Sequence, residues 1–267
     1  MKVVGLVSGG KDSCFNLIQC ASQRNDIVAL ANVCPPNGLD EMDSQMFQTV
    51  GHEIVELLAE AMELPLYRKV STALALSSEI FYNPTEGDEV EDLFHLLSEV
   101  KRQHPEIEGV SVGAVLSTYQ KNRVENVCTR LKLVPLAFLW QKNETDLLNE
   151  MLLSGLNAVV IKVAALGLNP SHLGMTLKEL QPHLLEMNEK YGLHVCGEGG
   201  EYETLTLDCS LFKKRIQLDD YEILPLSKDP FAPSAFLKIH SASLHLKENY
   251  KDTGFRKKVV HVKQPLT

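Results

Sequence analysis

The residues best suited to chemistry lie near the N-terminus, in the segment Ser8-Gly9-Gly10-Lys11-Asp12-Ser13. This segment follows a short apolar run, Val3–Val7, that is typical of a buried strand, and it opens a run with helical character over 13–24. Glycines let the backbone approach an anion closely, and a helix N-terminus presents free N–H groups. The two serines add hydroxyl groups, and the lysine adds a positive charge. The segment therefore predicts a phosphate-binding loop.

A Walker A loop is the first alternative, because Gly5, Gly10 and Lys11 fall in register with the pattern G-x-x-x-x-G-K-[ST]. However, Asp12 stands where that loop needs a hydroxyl to bind Mg²⁺. Gly5 also falls inside the predicted strand rather than in the loop. We therefore reject Walker A. We also reject an ordinary glycine-rich turn, because Gly-Gly followed by Lys-Asp-Ser has no packing rationale.

A second unusual segment is Gly197-Glu198-Gly199-Gly200-Glu201-Tyr202-Glu203-Thr204. Three carboxylates repel one another, and three glycines loosen the chain that carries them. Such a local conflict is expected at a functional site, although a solvated hairpin turn is the alternative. We predict that this segment faces the phosphate-binding loop, and the candidate catalytic residues are Glu198, Glu201 and Glu203.

A third segment, Glu86–Asp92, is an acidic run at the start of a predicted helix. Acidic residues are favourable near a helix N-terminus, which is the simpler interpretation. Binding of Mg²⁺ or of a basic partner is the alternative.

The elements that must position these segments alternate between strand and helix. Strands are predicted at 3–7, 27–33, 64–70 and 110–116, and helices at 13–24, 88–103 and 118–131. A long helix is also predicted from a cap at Asp43 or Ser44 to Ala61. This order indicates an α/β fold with a Rossmann-like parallel sheet and helices on both faces.

The chain changes character after Pro135, where helices at 143–153 and 176–190 are mixed with short strand-like runs. We expect a nucleotide-binding domain at 1–134 and a smaller α+β substrate domain at 135–237. Residues 238–267 carry a net charge of +5, and we expect them to form a disordered basic tail.

Composition limits the classes of function. The net charge of −9 weighs against a chain whose main task is binding nucleic acid. Six cysteines occur without a C-x-x-C pair, which disfavours zinc or iron–sulfur sites. No leader sequence and no membrane-spanning run is recognisable in the sequence. We therefore expect a reducing, cytoplasmic setting.

The phosphate-binding loop resembles the PP-loop, S-G-G-x-D-S, of the ATP pyrophosphatase superfamily, whose fold is of the HUP type. Over residues 1–236 the chain resembles the diphthine–ammonia ligase (diphthamide synthetase) family within it. The matching segments are SGGKDS (8–13), EGDEVEDL (86–93), VGAVLSTYQKNRVENVC (112–128), IKVAALGL (161–168) and HVCGEGGEYETLTLDC (194–209).

This resemblance implies a reaction and its participants. ATP, with Mg²⁺, would activate the carboxylate of diphthine on translation elongation factor 2 as an acyl-adenylate. Ammonia would then give diphthamide, AMP and PPi. No glutaminase module is recognisable, so free ammonia is the simpler nitrogen source. The alternatives are a PP-loop enzyme that modifies tRNA, which the charge and the cysteine spacing disfavour, and a sensor that binds ATP without turnover. We expect neither tRNA nor a membrane as a partner.

The resemblance also implies roles for single residues. Ser8, Gly9, Gly10, Lys11 and Ser13 would hold the pyrophosphate, while Asp12 would orient the loop or bind Mg²⁺. In the second segment, the chemistry of the residues themselves favours Glu198 or Glu201 as the base that takes a proton from the attacking amine, with Tyr202 packing against substrate or core. Binding of Mg²⁺ is the alternative role for these carboxylates.

Overall fold

The computed structural model describes residues 1–36, 38–39, 44–77, 79–227, 229, 231–248, 250–251 and 253–263. The helices are α1 Lys11–Ser22, α2 Val55–Met62, α3 Glu89–Gln103, α4 Thr118–Leu131, α5 Glu144–Leu153 and α6 Leu177–Tyr191. The strands are β1 Lys2–Leu6, β2 Asp26–Cys34, β3 Leu66–Val70, β4 Ile107–Ser111, β5 Val134–Leu136, β6 Asn157–Val163, β7 Tyr202–Asp208, β8 Lys214–Ser227, β9 Ser234–Leu246 and β10 Val259–His261. Within these ranges no helix is long and apolar enough to span a membrane.

The first sheet has the strand order β10-β3-β2-β1-β4-β5, and each neighbouring pair is parallel. Both faces of its central strands are buried. In β2, Leu30 packs into one apolar cluster with α1 and α2, while Ala29 and Ala31 pack into another with α3 and α4. The predicted parallel sheet with helices on both faces is therefore confirmed.

The second sheet is antiparallel, with the order β7-β6-β9-β8, and it packs with α5 and α6. Its core is continuous with the core under α1 and α2, because Phe15, Val55, Leu147, Ile161 and Leu205 belong to one cluster. This shared core brings β7 against the start of α1. The division into domains at 1–134 and 135–237 remains a proposal. Strand β5, at Val134–Leu136, belongs to the first sheet and extends across the proposed boundary.

The predicted long helix between residues 44 and 61 is confirmed only in its last part, where α2 covers Val55–Met62, and it is wrong before that. A single turn of 3₁₀ helix at His52–Ile54 precedes α2, and Gly51 adopts a left-handed φ of 77° that interrupts any longer helix. Ser44 accepts hydrogen bonds from the N–H groups of Met46 and Phe47, so it stabilises a turn. The other predicted cap, Asp43, lies outside the described residues.

The expectation of a disordered tail at 238–267 is also wrong for its described part. Strand β9 continues to Leu246, and β10 pairs in parallel with β3. The Leu66 N–H donates to the Lys258 carbonyl at 2.9 Å, and the Lys257 ammonium lies 2.9 Å from a Glu56 carboxylate oxygen. The physical reason is that β10 covers the edge of the sheet while its basic flank meets an acidic side chain of α2. Residues 264–267 lie outside the described residues.

We expect a chain that ends at Gly254 to lose stability. It lacks the backbone pairing of β10 and the packing of Val260 and Val262 on the sheet. The free energy of unfolding should fall by ~2–3 kcal/mol, the value for two partly buried valines and a few hydrogen bonds. Urea denaturation measures this, with a chain ending at Lys263 as the control. Equal midpoints for the two chains would contradict the structural role of β10.

Candidate active site

The phosphate-binding loop lies between the end of β1 and the start of α1, as predicted. Gly9 has a φ of 96°, a conformation that L side chains rarely adopt, and Gly10 is the N-cap of α1. The Ser13 hydroxyl donates to the Gly10 carbonyl at 3.0 Å, and the Ser8 hydroxyl accepts from the Gly10 N–H at 3.4 Å. Both hydroxyl groups therefore help to fix the turn beside the cavity.

Strand β7 holds this loop from the other side. The Lys11 N–H donates to the Thr204 hydroxyl at 3.0 Å, and the Thr206 N–H donates to the Gly9 carbonyl at 2.8 Å. Thr204 and Thr206 are both buried. The Gly-rich segment 197–204, whose last three residues begin β7, is therefore positioned next to the phosphate-binding loop.

A cavity of about 490 Å³ lies between these two segments, within the range of ~300–1,000 Å³ that is usual for small-molecule sites. It lies at the carboxyl ends of the parallel strands, where open α/β sheets bind ligands. Its walls come from the ends of β1, β2 and β4, the segment 44–48, the start of α4 and the segment 197–204. Among the lining residues are Ser8, Lys11, Asp12, Ser13, Asn32, Phe47, Gly113, Tyr119, Glu198, Glu203 and Thr204.

Lys11 is 2% exposed, although it lines the cavity. Its ammonium donates to an Asp12 carboxylate oxygen at 2.7 Å and to the Cys196 carbonyl, and it lies 5.2 Å from the centroid of the Tyr202 ring. Burial alone would lower the pKa of Lys11, but the attraction of Asp12, Tyr202 and Cys196 raises it above its usual value. The lysine therefore stays charged and ties the loop to the segment before β7.

Asp12 has one oxygen that is available for a ligand. Its Oδ1 atom is buried without a hydrogen-bond partner in the described part of the chain, while Oδ2 binds Lys11. Burial raises the pKa of the Asp12 carboxyl, and the Lys11 ammonium opposes that rise. Mg²⁺ in nucleotide sites is held by one or two carboxylates together with phosphate oxygens. Asp12 therefore fits this ion, whereas no cluster of three or more metal-ligating side chains exists among the described residues.

Glu198 lines the cavity and bridges two parts of the chain. Its Oε1 atom accepts hydrogen bonds from the N–H groups of Val115, Leu116 and Ser117, at 3.2, 2.8 and 2.9 Å. These residues immediately precede α4. The Glu198 carboxylate therefore anchors the loop before α4 to the Gly-rich segment, across the cavity.

The other two glutamates differ from Glu198 and from each other. Glu201 accepts from the N–H groups of His194 and Gly199, at 3.1 and 2.8 Å, and it does not line the cavity. Glu203 does line the cavity, and its carboxylate lies 3.1 Å from the Lys162 ammonium. The structure therefore brings Glu198 and Glu203 to the cavity and leaves Glu201 within its own turn.

Tyr202 is buried, and its hydroxyl donates to the Val195 carbonyl at 2.7 Å. The sequence left substrate or core open as its packing partner; this contact places the hydroxyl in the core, while Tyr202 also lines the cavity. Its ring also lies beside the ammonium of Lys11.

The acidic residues of the run at 86–92 pair with neighbouring groups of the protein rather than facing the cavity. The Asp88 carboxylate caps α3 through the Val90 N–H, Glu89 accepts from the Ser44 hydroxyl at 2.6 Å, and Asp92 lies 3.2 Å from the buried Lys69 ammonium. None of these acids lines the cavity. The geometry supports the simpler interpretation, in which the run stabilises the start of α3 and the loops around it.

Sequence reasoning missed several residues of the site. Gly113, which follows β4, lies so close to the phosphate-binding loop that a Cβ atom would be 2.7 Å from the Ser13 nitrogen. Gln48 donates to the Thr204 carbonyl at 3.1 Å from within the segment that was predicted to be helical. Gly113 lies inside the predicted strand at 110–116, and a glycine inside a strand, which often marks the close approach of another backbone, is the signal that could have indicated it.

The parallel sheet, the phosphate-binding loop with Asp12 in place of a Walker hydroxyl, and the cavity beside it define an α/β protein of the PP-loop type. Residues 1–135 match the family described as "Diphthamide synthase N-terminal domain", and residues 143–232 match "Diphthamide synthase C-terminal domain". The chain belongs to the diphthamide synthase family.

Relatives of the chain carry one common name. This chain is 58% identical over 252 residues to a diphthine–ammonia ligase of Mus musculus, and the match covers 93% of each chain. It is 56% identical over 266 residues to that of Homo sapiens, covering 96% of this chain and 98% of the relative. The ligase of Schizosaccharomyces pombe is 57% identical over 224 residues, and the match covers 84% of this chain but 37% of that longer relative.

Proposed function

We propose that this chain is a diphthine–ammonia ligase. It activates the carboxylate of diphthine on translation elongation factor 2 with ATP and Mg²⁺, through an acyl-adenylate. It then joins the acyl group to ammonia, giving diphthamide, AMP and PPi. The observation that carries this proposal is the cavity between the phosphate-binding loop and the segment 197–204, in a chain of the diphthamide synthase family.

The reaction needs ATP because a carboxylate does not react with ammonia at neutral pH, where its leaving group would be oxide. Adenylation supplies a good leaving group. The protein must hold the phosphates and the acceptor in line and stabilise the charge that develops on the α-phosphate. We assign the phosphates to the loop at 8–13, with the N–H groups at the start of α1 and the charge of Lys11, and Mg²⁺ to the buried oxygen of Asp12.

On the acceptor side, we assign two different roles to the glutamates. Glu203 meets the ammonium ion, because its carboxylate lines the cavity and is held by a side chain. Glu198 anchors the loop before α4, and Glu201 stabilises the turn between Glu198 and β7. This assignment differs from the sequence interpretation, which favoured Glu198 or Glu201 as the base.

We expect the nucleotide products to be AMP and PPi rather than ADP and phosphate, because Asp12 replaces the Walker hydroxyl. Chromatography of the products during turnover measures this directly. A hexokinase-type enzyme that forms ADP serves as the control for the separation. ADP that accumulates in step with turnover would contradict the PP-loop mechanism.

The decisive experiment combines the purified chain, the diphthine form of elongation factor 2, ATP, Mg²⁺ and ¹⁵N-ammonium. Mass spectrometry of the modified peptide should show that an amide nitrogen carrying the label has replaced a carboxylate oxygen. Omission of ATP, or a chain carrying Asp12→Ala, is the control. An unmodified peptide under conditions where the wild-type chain hydrolyses ATP would refute the proposed function.

PPi release, measured in the same mixture and in one where tRNA replaces the elongation factor, separates the alternatives. A sensor would bind ATP without forming PPi, and an enzyme acting on tRNA would release PPi only when tRNA is present. We propose that neither tRNA nor a membrane is a partner. We also propose a cytoplasmic location, because the protein substrate works in translation and all six cysteines are free thiols.

A further inference from the structure

The three glutamates of the Gly-rich segment are held by different kinds of partner. Backbone N–H groups hold Glu198 and Glu201, and these groups are fixed by the fold of their own loops. Glu203 is held at 3.1 Å by the side chain of Lys162, which belongs to another strand. One contact that positions the Glu203 carboxylate therefore comes from a side chain that can be replaced without changing the backbone of the segment.

Lys162 is well placed to control this carboxylate. It lies directly opposite Glu203 in the antiparallel pair of β6 and β7, where facing side chains interact. The register of the pair shifts between Val160 and Lys162, and such irregularities often re-aim side chains beside active sites. The two side chains are 17% and 20% exposed, so the pair is only partly screened by water.

The two members of the pair differ in their relation to the cavity. Glu203 lines it, between Tyr202 and Thr204, whereas Lys162 does not. Lys162 can therefore influence chemistry in the cavity through the Glu203 carboxylate that it contacts.

We propose that Lys162 is a positioning residue for nitrogen transfer: it holds the Glu203 carboxylate in the orientation that captures the ammonium ion. This inference rests on the proposed function. Loss of Lys162 should leave the phosphate-binding loop and its contacts with β7 in place, because the hydrogen bonds of the loop to Thr204 and Thr206 do not involve Lys162. The affinity for ammonium should fall, while the rate at which the acceptor carboxylate is activated should stay unchanged.

The first test measures Lys162→Met and Lys162→Arg in two assays. In amide formation, Lys162→Met should raise the KM for ammonium about tenfold, the effect of losing one charge-assisted hydrogen bond. In ATP–PPi exchange with the diphthine factor and no ammonium, it should remain near the wild-type rate. Lys162→Arg should restore most of the ammonium affinity. The control is Lys190→Met, which removes an exposed ion pair with Glu186 far from the cavity.

A double-mutant cycle then asks whether Lys162 acts through Glu203. If it does, Lys162→Met should change the KM for ammonium little in a chain that already carries Glu203→Gln. Additive effects of the two substitutions would overturn the inference. So would a loss of PPi exchange in Lys162→Met that matches its loss of amide formation, because that pattern indicates a structural role.

The result for the wild-type chain separates this inference from the function on which it rests. If the wild-type chain forms amide and Lys162→Met has an unchanged KM for ammonium, the inference alone fails. If the wild-type chain forms PPi but no amide, the proposed function fails and the inference falls with it.

Discussion

Gly113→Ala is expected to reduce ATP-dependent PPi formation about 100-fold, the loss that a misplacement of ~1 Å can cause in a positioned site. The added Cβ atom would lie 2.7 Å from the Ser13 nitrogen and 2.8 Å from the Asp12 carbonyl carbon. Real Cβ atoms do not approach backbone that closely, so the phosphate-binding loop must move away from β4. The contacts of that loop with Thr204 and Thr206 oppose the movement.

The measurement is the rate of PPi release, with the melting temperature of the same variant beside it. Gly155→Ala is the control: its Cβ atom would meet nothing within 4 Å, but Gly155 has a φ of 77°. The control should therefore lose ~1 kcal/mol of stability without a change near the loop. If Gly113→Ala keeps wild-type activity, the loop does not depend on close approach to β4. If the two variants lose activity equally, the loss reflects stability.

Strands and helices with strong local signals were predictable from the sequence. Helix α4 has the predicted bounds, Thr118–Leu131, and Ser117 caps it with a side-chain hydrogen bond to the Gln120 N–H. The first part of the predicted helix at 44–61, before α2, failed for a physical reason. Met46 and Val50 are buried, as its apolar spacing implied, but they lie in an irregular segment, and Met46 lines the cavity. The spacing of apolar residues indicates which side chains are buried, but it does not determine whether the backbone that carries them is helical.

The candidate active site was also predictable only in part from the sequence. The phosphate-binding loop was predictable because its glycines, its charge and its helix start lie within six consecutive residues. The hydrogen bond from Lys11 to Thr204 spans 193 positions, and no local pattern encodes it. The three glutamates at 198–203 could not be ranked for the same reason. Their partners lie at 115–117, at 194–199 and at 162, so only the fold distinguishes an anchor, a turn residue and a cavity residue.

Replacement of Glu198 is expected to have the second large effect on activity, because one of its carboxylate oxygens accepts hydrogen bonds from three backbone N–H groups of the loop before α4. Its loss leaves the loop before α4 without its anchor, and that loop carries Ser117 and leads to Tyr119 in the cavity wall. Hydrogen bonds to a charged group contribute ~1.5–3 kcal/mol each, and water can replace part of this where the loop is exposed. A net loss of ~2–3 kcal/mol in the assembly of the site is therefore reasonable.

We expect Glu198→Ala to lower PPi formation about 30- to 100-fold, the kinetic equivalent of that free energy. Glu198→Gln keeps an acceptor oxygen in the same place, so it should retain PPi formation and amide formation within about fivefold of wild type. The two assays distinguish three roles of Glu198. If Glu198 is an anchor, only the alanine variant loses both activities. If it is a base for ammonia, the glutamine variant loses amide formation alone, and if it binds Mg²⁺, both variants lose PPi formation. Glu179→Ala is the matched control, since that carboxylate accepts the Thr176 N–H at the start of α6, away from the cavity. Full activity in Glu198→Ala, with the control also active, would show that the loop before α4 needs no anchor at Glu198.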